Sequence, residues 1–231
     1  MQEQSAQPAP ILKEYTPPYD MLSDMLFVLA LCPTGPLQRT FPAQPFLSLA
    51  GRTPLLMWYS RVREIKYWHE EERRQLGDEN SILYNELNVL ALLRQRALFV
   101  PAIYATSDLT IQIGHAYGMP KQKTAMSLEV GRKRLTSIVC DGKRESTLTA
   151  RLLGPTRPLG RLLSRFWPRW VGPICFPDGR ETRALIQATP CAQPAWVRGR
   201  LCVKAPWLPT PISLLPIGLY LADQCMTLPP P

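Results

Sequence analysis

The sequence holds only two histidines, and its six cysteines form no Cys-X-X-Cys pair. A zinc site built on closely spaced thiolates and imidazoles needs such ligands, so no metal centre is expected. Long apolar runs are missing as well. Met21–Leu31 is too short to span a bilayer and contains Asp24, while prolines break Trp207–Leu221. Neither makes a transmembrane helix, and no membrane partner is expected. No signal peptide precedes the first strand-like segment. Cys32, Cys140, Cys175, Cys191, Cys202 and Cys225 are therefore expected as reduced thiols of a cytoplasmic protein, although their number leaves disulfides open. Nothing has the composition of an interdomain linker. The expectation is a polar, proline-bearing arm over 1–20, followed by a single domain over 21–231.

What is present is a globular composition, 45% apolar and 19% charged, with 25 prolines spread along 231 residues. An interior helical proline loses a hydrogen bond and clashes with the preceding turn. Proline at this density excludes long helices and favours short strands with irregular connections. The net charge of +9 raises the question of nucleic acid. The basic residues are dispersed as Arg-X-Arg pairs and short clusters without a binding signature, so a solvated basic surface is expected and no nucleic-acid partner. Attraction of an anionic substrate fits the same charge.

Strands are expected at Met25–Leu31, at Leu55–Arg63 with Leu55, Met57 and Tyr59 on one face, at Leu83–Leu93 and at Phe99–Thr106. Cys32–Pro36 has the composition of a turn, and Glu70–Asn80 that of a solvated loop or short helix. Thr110-Ile111-Gln112-Ile113 alternates and predicts a further strand to Gly114. Thr124–Val130, Arg134–Cys140 and Ser146–Leu153 form a meander, with Asp141-Gly142 as a hairpin turn. Leu159, Leu162, Leu163, Phe166, Trp167 and Trp170 repeat at helical spacing opposite Arg161, Arg165 and Arg169. That helix either covers the sheet or lies on a membrane surface; cover is favoured. Pro177-Asp178-Gly179 predicts another hairpin, before strands at Thr182–Thr189 and Trp196–Val203. The expected class is α+β, a mainly antiparallel sheet closed into a cone or barrel with one or two short covering helices.

The informative stretch is Ile113-Gly114-His115-Ala116-Tyr117-Gly118-Met119-Pro120-Lys121-Gln122-Lys123. A lysine after a glycine-bearing bend can sit at a barrel mouth with its stem against apolar neighbours, and as a neutral amine it attacks carbonyls. Spacing alone leaves a solvated turn lysine equally open. Met119-Pro120-Lys121-Gln122 resembles the Tyr-Pro-Lys-Lys motif of the acetoacetate decarboxylase superfamily, whose first lysine forms a Schiff base. Tyr84-Asn85-Glu86 resembles the family's Tyr-X-Glu, whose glutamate lines the active site. Pro177-Asp178-Gly179, Asp223 and Leu228-Pro229 follow in family order. The resemblance runs over roughly 22–230 and is specific within Glu86–Leu128.

It implies Lys121 as nucleophile and Glu86 as proton carrier, with no cofactor, in a homo-oligomer; the apolar C-terminus is a candidate surface for a neighbouring copy. Three departures bear on the reaction. Gln122 stands where the family has a second lysine. The family's second glutamate aligns, through Pro54-Leu55-Leu56-Met57-Trp58, with Tyr59, which is either a core tyrosine or a donor to substrate. An active-site arginine falls near Asp24. Gln122, His115 and Tyr117 are candidate substrate-binding residues, with His115 either a proton shuttle or a surface histidine. Arg61, Arg63 and Lys66 are expected as surface charge, and Lys123 as a bystander. The implied function is a Schiff-base lyase acting on a small-molecule keto acid or ketone, favouring aldol, retro-aldol or dehydration steps over acetoacetate decarboxylation. The alternative is a catalytically silent binding or scaffold protein on the same fold.

Overall fold

The computed structural model describes residues 19–68, 73–75, 84–116, 118–130, 134–141, 144–155, 170–189, 195–205, 208–214 and 217–228. Strand β1 (Tyr19–Pro33) begins inside the expected arm, of which residues 1–18 lie outside the described residues. Met25 to Val28 are consecutive buried residues, the pattern of a strand covered on both faces. Where a turn was expected after it, Thr34-Gly35-Pro36 opens a short helix, α1 (Thr34–Thr40). Pro36 falls in the first turn, where its missing N–H costs nothing.

The next strands are β2 (Arg52–Trp68), β3 (Arg73–Gln75), β4 (Tyr84–Leu92) and β5 (Leu98–Ala105). Helix α2 (Asp108–Ala116) and β6 (Lys121–Lys123) come before the meander β7 (Ala125–Val130), β8 (Arg134–Asp141) and β9 (Arg144–Pro155). The chain ends in β10 (Trp170–Cys175), β11 (Glu181–Thr189), β12 (Ala195–Ala205), β13 (Leu208–Leu214) and β14 (Ile217–Leu228). Both expected hairpins are in place. β8 pairs with β9 as far as Asp141 opposite Arg144, and β10 pairs with β11 across a turn in which Gly179 takes φ 84°. Of the expected helix around Leu159–Trp170, residues 156–169 lie outside the described residues, while Trp170 begins β10.

The strand order β1-β2-β4-β5-β10-β11-β14, with β14 pairing back onto β1, closes a seven-stranded barrel. Every step round it is antiparallel except β5 to β10. Closure removes the free edges that an open sheet would expose. β14 is thus a wall strand of the barrel. It also pairs with β12, from which β9, β8 and β7 continue as an outer sheet.

Two faces follow. Leu26, Val28, Leu55, Met57, Tyr59, Leu87, Val89 and Tyr104 point outward and pack with Leu128, Val139 and Leu148 of the outer sheet. The opposite, luminal side of the same strands carries Leu90, Val100 and Ile103, which gather with Phe176 and Met119. Glu86 is cross-strand from Ser60 and from Ala105, one residue out of phase with Leu87 and Tyr59, so it faces the lumen.

Among the described residues no helix is long and apolar enough to cross a membrane, and Cys32, Cys140 and Cys175 are free thiols.

Candidate active site

The segment expected as a strand, Thr110–Gly114, is the body of helix α2. Ser107 precedes it, Asp108 stands in its first turn, and the Thr110 hydroxyl donates to the Ser107 carbonyl at 3.0 Å. A small polar residue and an acid at a helix start are favourable, because the first N–H groups lack intrahelical partners and carry the positive end of the helix dipole. Four alternating residues are too few to outweigh them.

The helix stops in a way that aims the lysine. Gly118 adopts φ +75°, its N–H donates to the His115 carbonyl at 2.9 Å, and the Met119 N–H donates to the Gly114 carbonyl at 2.8 Å. This pair of bonds around a left-handed glycine is a Schellman stop. The chain then turns back through Pro120, and β6 joins β5 in parallel with Lys121 beside Ile103. A side chain at position 118 would overlap the Arg180 guanidinium, which rests on the bare glycine. Arg180 is held there by Asp178, its Nε donating at 2.5 Å.

From this start Lys121 crosses to the adjacent wall. Its Nζ lies 2.5 Å from Glu86 Oε2, and the two side chains are only 10% and 12% exposed. The second carboxylate oxygen, Oε1, accepts from Asn88 Nδ2 at 2.9 Å. Asn88 lies two residues along β4, hence on the same luminal face. The lysine stem runs against α2 at Gly114, where a Cβ would overlap Lys121 Cγ, Cδ and Cε. The absence of a side chain there is what admits the stem. An ammonium and a carboxylate this close and this enclosed form a charge-assisted hydrogen-bonded pair.

The expected site residues separate. Lys121 and Glu86 meet. Tyr59 does not join them: it is buried in the outer core, one register position from Ser60, on the far side of the wall. Burial pushes its phenol pKa well up. The residue beside Glu86 on β2 is Ser60, itself buried. Gln122 alternates away from Lys121 along β6 and is exposed. His115 sits behind the lysine, not in the lumen, with Nε2 2.7 Å from the Lys121 carbonyl, to which it donates in the tautomer protonated there. Tyr117 lies outside the described residues. Asp24 faces outward and pairs with Arg63 at 3.1 Å, so Arg63 is more than surface charge. Lys123 is exposed and pairs with Asp108.

Asn88, Ser60, Trp58 and Gly114 complete the surroundings, and none was singled out from the sequence. The pattern Glu86-X-Asn88 within a strand was the available signal. Among the described residues no group of His, Cys, Asp or Glu gathers to hold a metal ion.

No family model matches the chain, and no curated protein matches its sequence. Solved structures do. MppR, an enduracididine biosynthesis enzyme complexed with pyruvate, is 14% identical, with a TM-score of 0.61 over 92% of this chain and 88% of its own. An acetoacetate decarboxylase-like enzyme from Sphingomonas wittichii RW1 is 15% identical, with a TM-score of 0.60 over 98% and 96%. Acetoacetate decarboxylase from Legionella pneumophila, also 15% identical, has a TM-score of 0.54 over 98% of both chains. The chain has the acetoacetate decarboxylase fold.

Proposed function

We propose that this protein is a Schiff-base enzyme acting on a keto acid or ketone, with Lys121 as nucleophile and Glu86 as proton carrier. The observation that carries the reading is the enclosed Lys121–Glu86 pair on the luminal wall. Transfer of one proton from Nζ to Glu86 leaves a neutral amine with a free electron pair. That pair attacks the carbonyl carbon, and a second proton passes from the nitrogen to the carbonyl oxygen to give a carbinolamine. The proton held on Glu86 passes to its hydroxyl, which leaves as water as the iminium forms. The iminium draws electrons from the adjacent carbon, so a bond to that carbon can break or form.

Which bond is cleaved depends on what surrounds the substrate. Decarboxylation is fastest where the pocket disfavours a carboxylate relative to the transition state. Here the described neighbours of the pair are neutral hydrogen-bonding groups, Ser60 and Asn88. Such groups suit a retained carboxylate, or the hydroxyl of an aldol-type intermediate. Aldol, retro-aldol and dehydration steps are therefore favoured over acetoacetate decarboxylation. The fold neighbour MppR has been captured with a condensation product of pyruvate and imidazole 4-carboxaldehyde, which fits the same direction. The reading extends to a homo-oligomeric protein in the cytoplasm.

The same ion pair also fits a second reading, in which Lys121 and Glu86 only brace the barrel of a silent binding protein. Incubation with pyruvate and borohydride separates the two. A reduced adduct on the protein supports the enzyme, and release of carbon dioxide from acetoacetate is then compared with condensation of pyruvate and aldehydes. Absence of any adduct leaves the brace. Brisk decarboxylation abolished by Lys121→Ala keeps the nucleophile and overturns the reaction preference.

A further inference from the structure

Among the described residues, Trp58 Nε1 is a buried polar atom without a hydrogen-bond partner, as is Ser23 Oγ. Trp58 is two residues before Ser60 on β2 and stands opposite Asn88, so it shares the luminal face with Glu86 one row along. Its side chain is 8% exposed and stacks on Phe27, ring centroids 5.5 Å apart. Its indole Nε1 is buried without a hydrogen-bond partner among the described residues. An indole N–H buried unpaired forfeits its hydrogen bond to water, and a phenylalanine would fill the stack without that loss. Asn88, directly opposite, directs its own amide N–H to Glu86. Trp58 therefore stands opposite the residue that hydrogen-bonds Glu86.

We propose that the Trp58 Nε1–H is the donor that receives the carboxylate of a keto-acid substrate, making Trp58 the residue that selects keto acids over simple ketones. The inference rests on the reading of Lys121 and Glu86 given above. It deepens that reading by fixing the substrate class: a carbonyl carbon for the amine, and an acceptor oxygen one row further along the wall. A neutral indole donor fixes the carboxylate without an arginine.

The test uses whole protein carrying 15N in its indole nitrogens. There are six tryptophans, and the resonance missing from Trp58→Phe identifies Trp58. Pyruvate and acetone are added in turn, and trapping by borohydride is measured on the same samples. The expected result is a downfield move of the Trp58 N–H proton with pyruvate and none with acetone. In Trp58→Phe the pyruvate concentration for half-maximal trapping should rise about tenfold relative to that for acetone measured on the same variant, the worth of one good hydrogen bond. Trapping of pyruvate without movement of the resonance overturns the role of Trp58 and keeps Lys121. Equal movement with acetone overturns the carboxylate assignment. Movement with pyruvate but no trapping keeps Trp58 as an anion-binding donor and overturns the Schiff base, and neither signal overturns both.

Discussion

At the scale of single residues, the pair Lys121–Glu86 was legible in the sequence, because each belongs to a short motif and both motifs fall where strands end or begin. Their partners were not. Tyr59 and Ser60 are adjacent in sequence and lie on opposite faces of the wall. A shift of one residue in aligning β2 moves the whole set from lumen to outer core. Gln122 alternates away from Lys121 along β6 and is exposed. The role proposed for Glu86 and Lys121 yields a residue-scale prediction. Glu86→Gln keeps the size of the side chain and can still meet Asn88, yet it cannot accept the lysine proton. Trapping of pyruvate should slow by about 10² to 10⁴, the usual contribution of a placed acid–base group. A rate within a few-fold of the parent would show that Glu86 only braces the lysine.

Elements carry a different lesson. The strands β1, β2, β4 and β5 declared themselves through apolar runs and alternation, and Asp141-Gly142 and Pro177-Asp178-Gly179 marked the hairpins β8–β9 and β10–β11. Helix α2 was misread because Thr110 to Ile113 also alternate, and the start signal at Ser107-Asp108 carried more weight than the short pattern. That helix matters to the site through Gly114, whose bare Cα leaves room for the Lys121 stem. Gly114→Ala should act in two directions at once. Alanine raises helix propensity by about 1 kcal/mol, whereas its methyl group displaces the stem and separates the amine from Glu86. Retained circular dichroism with trapping reduced about tenfold or more is the expected outcome; a displacement of about 1 Å is enough for such a loss. Unchanged trapping would show that the stem has another path.

For the whole molecule, the sequence announced a closed, mainly antiparallel barrel chiefly through resemblance, since periodicity alone could not show that β14 returns to β1. Closure and the outer sheet leave Cys32 and Tyr59 deeply buried in one core, and this sets the pH range in which the fold holds. Burial pushes the Cys32 thiol up to about 12, and pushes the Tyr59 phenol in the same direction. In the unfolded chain both groups ionise near their ordinary values, about 8.5 and about 10. Their contribution is therefore intact below those values and is lost as pH rises towards the folded ones. The unfolding free energy from urea titration should fall from about pH 9 upward, with a slope approaching 1.4 kcal/mol per pH unit for each group, and the urea midpoint should fall with it. Cys32→Ala should remove one group's share of that slope. A midpoint independent of pH between about 9 and 11 would contradict the burial. The central claim concerns the lumen, and one measurement reaches it most directly. Protein incubated with pyruvate and borohydride is digested with trypsin and sequenced by mass spectrometry. The account predicts a reduced pyruvyl adduct on Lys121, with loss of cleavage after that residue and full loss of the adduct in Lys121→Ala. An adduct confined to Lys123 or to other lysines, with Lys121 unmodified, would contradict it.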